Sequence, residues 1–596
     1  MSLVSQKTRL RMRRKVRRRQ KQVEAVTDAA EKSIETNLFG RLDRMLRVRR
    51  FTFGWLILVA LVTACTIGQT LTLSAYYQTV QPTSGGIYNE GLVGTYSNAN
   101  PLFATGPVDR AVSRLIFAGL FKYNNHNKLV GDLASSYSVD STGQHYVVHL
   151  RHNLTWQDGK PLTAEDVVFT YHLIQNPAVQ SPLLSSWQNI TIVASNKYTI
   201  DFGLPNAFSP FPYGLTTGIL PKHLLDHVSP SELRASSFNT THPVGAGPFA
   251  WQAVQINANT DPSKVVDLVA LKPFKHYVGG TPKLSGFVIH AFGNKSAMIT
   301  AFQQRTINAM AGLNEVPASL RHASDVTSIS FPSTAAAMVF FKTSSGVLAN
   351  KPVRQALVEG ADTPAILNSL RYVSLPVREP LLIGQLGYNP AYRQASYNQT
   401  AANAALDKAG WVRGKNGIRS KNGTALAFSL YVRDTPQDRR TVAILKRNWG
   451  ALGVDMTPVI QSPTDFQTTL ETHDYDALLY SISIGVDPDV YAYWGNNPAD
   501  SNSPTQMNFS EYQSTQATLS LEAGRTRLNP KLRAIKYVPF LQAWQSDAPA
   551  LGLYQPRFLY ITRGPVYGLT DHILNLSADR YYSVANWEIS TKKVTN

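Results

Sequence analysis

The sequence predicts a mixed α/β body of two or three lobes, preceded by one membrane-crossing helix. Three observations carry that prediction. The chain has 596 residues, and about 510 of them follow a basic arm and an apolar run, too many for a single core. An apolar fraction of 43% allows a large buried interior. The text of the body mixes short alternating runs with runs at helical spacing.

The crossing helix is read at residues 51–75. The run that opens Phe51-Thr-Phe-Gly-Trp-Leu-Ile-Leu continues to Leu73, and no charged residue occurs between Arg50 and Glu90. Roughly 20 apolar residues suffice for a helix to cross a bilayer. Arg47, Arg49 and Arg50 stand before the run and no basic residue follows it closely, which puts the N-terminus in the cytoplasm and the body outside. Within the run, Val62-Thr63-Ala64-Cys65 resembles a lipoprotein cleavage box, with Cys65 as the lipidated residue. The long arm before the run and the apolar residues after Cys65 favour an uncleaved anchor. Either reading tethers the body to the outer side of the membrane.

The arm itself, residues 1–50, holds 16 Lys/Arg and 5 Asp/Glu, while the other 546 residues hold 42 and 34. More than half of the net charge of +19 therefore sits in less than a tenth of the chain. That is a basic arm on a mildly basic body, not a nucleic-acid-binding body. Arg9 to Lys21 is the dense part. Val23, Val26, Ala30, Ile34, Leu38, Leu42 and Leu46 follow at helical steps, one stripe of an amphipathic helix. The arm can act as a topology determinant, bind anionic lipid headgroups, or bind nucleic acid. Gln78 to Gly86 reads as a turn-rich spacer, so the body is expected to start near Gly85. A single cysteine rules out an internal disulfide and any zinc site built from several cysteines.

The body opens with a loop from Thr95 to Pro101, which contains Asn98. A helix follows over Asp109–Leu120. Gln144 to Arg151 alternates as a strand, and Asp158-Gly159 is a turn. Thr163-Ala-Glu-Asp166 is a capping box that opens the next helix.

The residues of this region carry a resemblance. Ile116-Phe-Ala-Gly-Leu-Phe-Lys-Tyr123, Leu129-Val-Gly-Asp-Leu-Ala-Ser-Ser136 and the long run from Val148 through Trp156-Gln-Asp-Gly-Lys-Pro-Leu-Thr-Ala-Glu-Asp166 to Phe169 resemble the family 5 extracellular solute-binding proteins. That family includes oligopeptide-, dipeptide- and nickel-binding proteins of ABC importers. Pro243-Val-Gly-Ala-Gly-Pro-Phe249, Tyr277 to Leu284, Val353 to Leu357 with Asp362, and Asp487-Pro488-Asp489 resemble later family segments, in family order. The resemblance covers about residues 85–590 and leaves out the arm.

The resemblance implies a two-lobed periplasmic-binding-protein fold of the large peptide-binding type, with an extra subdomain. The N-terminal reading gives a cytoplasmic arm at 1–50, an anchor at 51–75 and a linker at 76–84, and the resemblance then implies a first lobe at 85–335. An insertion at about 110–200 interrupts that lobe. A second lobe at 336–547 and a return to the first at 548–596 complete it. The crossings are expected near Thr334–Lys342 and Ala548–Ile561. Ligand would sit between the lobes and favour their closure. The candidate ligand-contacting residues are Asn98, Gly245, Ala246, Gly247, Phe249, Asp487, Tyr491 and Trp494. Relatives that grip a free amino terminus tend to place an acid just before Asp-Pro-Asp; here that stretch is Ile484-Gly485-Val486.

The implied function is capture of a peptide or similar solute for ABC permease and ATPase subunits, by a monomeric body with no cofactor, no metal and no catalysis. Alternatives are a membrane-anchored sensing receptor, a binder of a non-peptide solute such as a nickel complex, and an anchored hydrolase. No Gly-x-x-x-x-Gly-Lys-Ser/Thr run occurs, so this chain is not the driving ATPase. His145, His149 and His152 lie on or beside one strand at spacings that scatter them over both faces. Asp158, Glu165 and Asp166 are read as a turn and a helix cap rather than as paired catalytic carboxylates.

Overall fold

The computed structural model describes residues 6–34, 49–76, 78–257, 261, 266–372, 374–496 and 507–595. It divides into a unit of residues 1–81 with 591–596 and a body of residues 82–590.

In the first unit a helix spans Gln6–Ile34, and a second spans Arg49–Tyr76. Leu38, Leu42 and Leu46 of the proposed stripe lie outside the described residues. The segment Phe51–Thr72 is long and apolar enough to cross a membrane, and its Trp55, Leu56, Ile57 and Leu58 side chains are exposed. Cys65 is exposed midway along this helix. The spacer expected at 78–86 is instead partly regular: Gln78–Thr83 is a strand paired with Ser590–Thr595. Turn-forming residues do not exclude a short edge ribbon, where Pro82 costs no ladder bond that must be kept.

The body contains two main sheets and, among its smaller ones, a sheet of four strands. The first sheet has seven strands in the order Val326–Pro332, Arg557–Arg563, Ala309–Leu313, Ile87–Val93, Gly286–Phe292, Val266–Pro273 and Phe249–Gln255. Its centre is parallel, since Ile87–Val93 runs alongside both Gly286–Phe292 and Ala309–Leu313. The second sheet has five strands: Asp455–Gln461, Ala427–Arg433, Ala477–Ser483, Ala335–Phe341 and Ala550–Tyr554. An antiparallel sheet of four strands, Ala134–Val139, His145–Leu150, Thr199–Gly203 and Thr191–Asn196, forms the subdomain.

Local sequence explains several of these elements. The Thr163 box caps the helix Ala164–Gln175, with Thr163 N–H donating to Asp166 Oδ2 at 2.9 Å. The helix after the opening loop runs Pro107–Ile116, shorter than expected, because Phe117 turns extended. Strand Ala335–Phe341 is apolar throughout because both its faces are covered. Ala337, Val339 and Phe341 enter one core cluster of the second lobe, while Ala336, Met338 and Phe340 enter the other. Inside the first lobe, Glu90 and Arg580 form a fully buried ion pair. The Tyr560 and Tyr581 hydroxyls donate to the same carboxylate at 2.6 and 2.7 Å, so its charge is satisfied on several sides. Arg580 ties the C-terminal return to the second element of the body.

The chain passes between the main sheets at Ser333–Thr334 and again at Gln555–Pro556. Both strands flanking each passage belong to a sheet, so Ala550–Tyr554 lies in the second lobe and the return begins later than residue 548. The two passages bond to each other. Ser333 Oγ donates to Pro556 O at 2.7 Å, and Gln555 Nε2 donates to Ser333 O at 2.8 Å. Two short connections side by side make a hinge with few backbone torsions to absorb a rotation.

Candidate functional site

The parallel strands of the second sheet end at Arg433 and Ser483, on the side where the chain crosses between lobes. Ligands of open α/β sheets bind beyond such carboxyl ends. There Thr334 O accepts from the backbone N–H of Ile484 at 2.8 Å and of Gly485 at 3.1 Å. Gln385 Nε2 donates to Gly485 O at 2.7 Å. Gly485 has φ +78°, a left-handed conformation that glycine adopts without penalty. On the other side of Thr334, its Oγ1 donates to Asn575 Oδ1 at 2.9 Å, and Asn575 Nδ2 donates to Asn127 Oδ1 at 2.7 Å. A polar thread therefore joins the hinge to both walls of the space between the lobes.

That space holds a cavity of about 400 Å³, lined by Asn127, Tyr137, Tyr146 and Tyr213 of the first lobe and its subdomain, and by Val486, Leu528 and Arg533 of the second. Beside it, a second cavity of about 390 Å³ is built by the first lobe and its subdomain alone, lined by Arg110, Arg114, Tyr123, Thr216, Asn575 and Asp579, among others. The two adjoin. Tyr123 of one stacks on Tyr213 of the other at 6.3 Å, and Asn575 of one bonds Asn127 of the other. Burial raises the pKa of Tyr123 and Tyr213, and pushes Tyr146 up to about 12, so these phenols stay neutral O–H donors at physiological pH.

The charges on the second-lobe wall are paired. Asp487 meets Arg533 in two bonds of 2.8 Å, both residues nearly buried. Burial opposes the Arg533 cation, but the Asp487 carboxylate outweighs it and raises the pKa. Asp489 meets Arg525 at 2.8 Å, and burial raises the Asp489 pKa despite that partner. Arg525 also lies 5.0 Å over Phe208 of the subdomain and 4.6 Å over Tyr491. Its carbonyl accepts from Ser209 N–H at 2.9 Å and from Ser209 Oγ at 3.0 Å. This clasp joins the lobes away from the hinge, so the body stands closed.

The structure distributes the sequence-derived candidates unevenly. Asp487 lies beside the cleft, where it orients Arg533, whereas Tyr491 lines neither cavity and supports the clasp, its hydroxyl donating to Glu522 at 3.2 Å. Asn98 is spent on its own loop, with Oδ1 accepting from Asn100 N–H at 2.8 Å. Gly245 and Gly247 serve a close approach inside the first lobe. Gly247 N–H donates to Ile116 O at 2.7 Å, and Gln157 bonds Gly245 from both ends. Ala246 is buried there. Phe249 and Trp494 are fully buried, against Phe287 and against Phe340 with Trp544, and present no surface to a ligand. An aromatic in a turn motif suits a core as well as a cleft, and here packing took both. Of the residues that do line the cavities, Tyr123 closes one of the family-like runs, while Arg114, Tyr213 and Arg533 carry no local signal, because the fold brings them together from distant segments.

Comparison with known proteins decides the family. The model of the bacterial extracellular solute-binding proteins, family 5, matches residues 128–503, well over half of the chain. The chain belongs to that family. Within it, the chain is 23% identical to the oligopeptide-binding protein AppA of Bacillus subtilis over 523 residues, covering 84% of this chain and 92% of the relative. The structure of that family member in complex with a nonapeptide matches with a TM-score of 0.68 at 21% identity, covering 86% of this chain and all of the other. NikZ from Campylobacter jejuni, in complex with Ni(L-His), matches at 0.71 and 22% identity, covering 84% and 99%. Family 5 members are binding proteins, and the two-lobed fold expected from the sequence is the fold of these structures.

Proposed function

We propose that this family 5 protein is the extracytoplasmic solute-binding component of an ABC importer, and that its solute is a peptide. The observation that carries the reading is the tyrosine-lined cavity between lobes joined by a double hinge. A solute touching both walls favours the closed form by its differential affinity, and release follows when the lobes part. Neutral phenols, an amide, cations and aliphatic side chains around one space suit a peptide's mixed surface. The oligopeptide-binding relative from Bacillus subtilis, covered over almost its whole length, supports the same ligand class.

The helix Arg49–Tyr76 is the anchor in this reading, with Phe51–Thr72 in the bilayer, the basic arm on the cytoplasmic side and the body outside. The helix continues past Cys65, which supports an uncleaved anchor over a lipidated Cys65. The basic residues of the arm then contact anionic headgroups, each contributing about 1 kcal/mol near the surface. Calorimetry on the full chain in nanodiscs, with a mixed peptide library, tests the function. Stoichiometric binding with the peptides recovered uncut supports it; cleavage, or no heat with any peptide, would sink it.

A further inference from the structure

The two adjoining cavities differ from an all-purpose peptide cleft in the sign of their charge. Arg110 and Arg114 line one cavity and Lys128 lines the other, and none of the three is in an ion pair among the described residues. Arg533 faces the cleft with its partner Asp487 already bound. Among the described residues the only carboxylate lining either cavity is Asp579, whose Oδ2 accepts from Leu576 N–H at 2.9 Å; burial raises its pKa, and the Arg114 charge nearby opposes that rise. The Asp-Pro-Asp acids are both consumed by arginines, and Gly485-Val486 before them supply none. Tyr123 lies within electrostatic reach of Arg114, Asp579 and Asp487, so these groups surround one space. The cavities thus offer three cations outside any ion pair, aromatic faces, and a single carboxylate, Asp579, that is already held by the backbone.

We propose that the cleft holds its ligand by an anionic group at Arg114 and Arg110, with an aromatic or apolar part against Tyr123 and Tyr213, and requires no free ammonium. The inference rests on the solute-binding reading above and names the chemical class of that solute. A guanidinium presents two parallel N–H donors that match a carboxylate, and Arg114 is held on a helix packed into the first lobe. An ammonium in this space would face Arg110, Arg114 and Lys128 against the one carboxylate of Asp579, so its desolvation would be poorly offset.

The test uses the full chain in nanodiscs, stripped of bound solute by unfolding and refolding, and four probes read by calorimetry. Three are one phenylalanine-containing tetrapeptide with both ends free, with an acetylated amino end, and with an amidated carboxyl end. The fourth is N-benzoylglycine, an aromatic carboxylate that is not a peptide. Acetylation is expected to change affinity less than threefold, and amidation to weaken it at least tenfold. Arg114→Gln is expected to weaken the free-acid peptide about tenfold and leave the amide unchanged, with an unaltered melting temperature excluding misfolding. Binding of N-benzoylglycine alone keeps the anion proposal and removes the peptide reading. An acetylated peptide bound tenfold more weakly, an amide bound as well as the acid, or no binding of any probe would overturn the proposal.

Discussion

Glu379 shows how burial alone sets a side chain's chemistry. It is fully buried in the second lobe, its Oε2 accepts from Asn389 N–H at 3.2 Å, and its Oε1 has no hydrogen-bond partner among the described residues. Burial pushes its pKa from 4.5 up to about 7. The sign follows from linkage: the folded state holds the proton more tightly than the unfolded one. Stability is therefore full below pH 4.5, falls as pH rises, and is flat above about 7. Glu379→Gln should remove that slope and gain on the order of 2 kcal/mol at pH 8, read from urea unfolding at both ends of the range. At this scale the sequence was partly legible. Asp487 stood out within three contiguous residues. Arg533, its partner, sits 46 positions away on a helix with no motif of its own. A contiguous signature shows in a sequence; a pair made by folding does not. Phe249 and Trp494 failed as cleft residues because side-chain type does not say which side of a turn is covered.

At the scale of elements, the turn Pro243–Phe249 was recognisable, but its purpose was not. Gly247 approaches the end of the helix Pro107–Ile116 so closely that an added Cβ would lie 2.7 Å from the Ile116 carbonyl carbon. Gly247→Ala should destabilise the body by about 2–4 kcal/mol, lowering its melting temperature while leaving ligand preference unchanged. A loss of affinity with unchanged stability would instead return the turn to the ligand site. The capped helix Ala164–Gln175 and the strand His145–Leu150 were legible because a capping box and a two-residue alternation are local. The strand Gln78–Thr83 was not, because its partner lies at the far end of the chain.

Across the whole molecule, the contacts that join the lobes include the hinge at Ser333 and Gln555, an ion pair of Arg371 with Glu315 at 3.2 Å, and the clasp in which Arg525 meets Phe208, Ser209 and Asp489. Of the clasp residues only Ser209 lines either cavity, at its edge, while Arg525, Phe208 and Asp489 line neither, so Arg525 sets how far the closed form is populated rather than what is bound. Arg525→Ala should weaken ligand binding several-fold, mainly through faster release, with cavity preferences intact. Stopped-flow dissociation of any bound probe reads this; an unchanged release rate would show that the clasp contributes nothing to closure. The double crossing was expected from the family resemblance, while the clasp, made by residues 208–209 with 525, had no trace in the sequence. The central claim is that this closed body carries a solute. Native mass spectrometry of the full chain, extracted from its own host's membrane, tests it most directly. The account predicts one small molecule per chain, released on unfolding and absent after refolding. A bare chain that gains no mass when offered the peptide and carboxylate probes would contradict it.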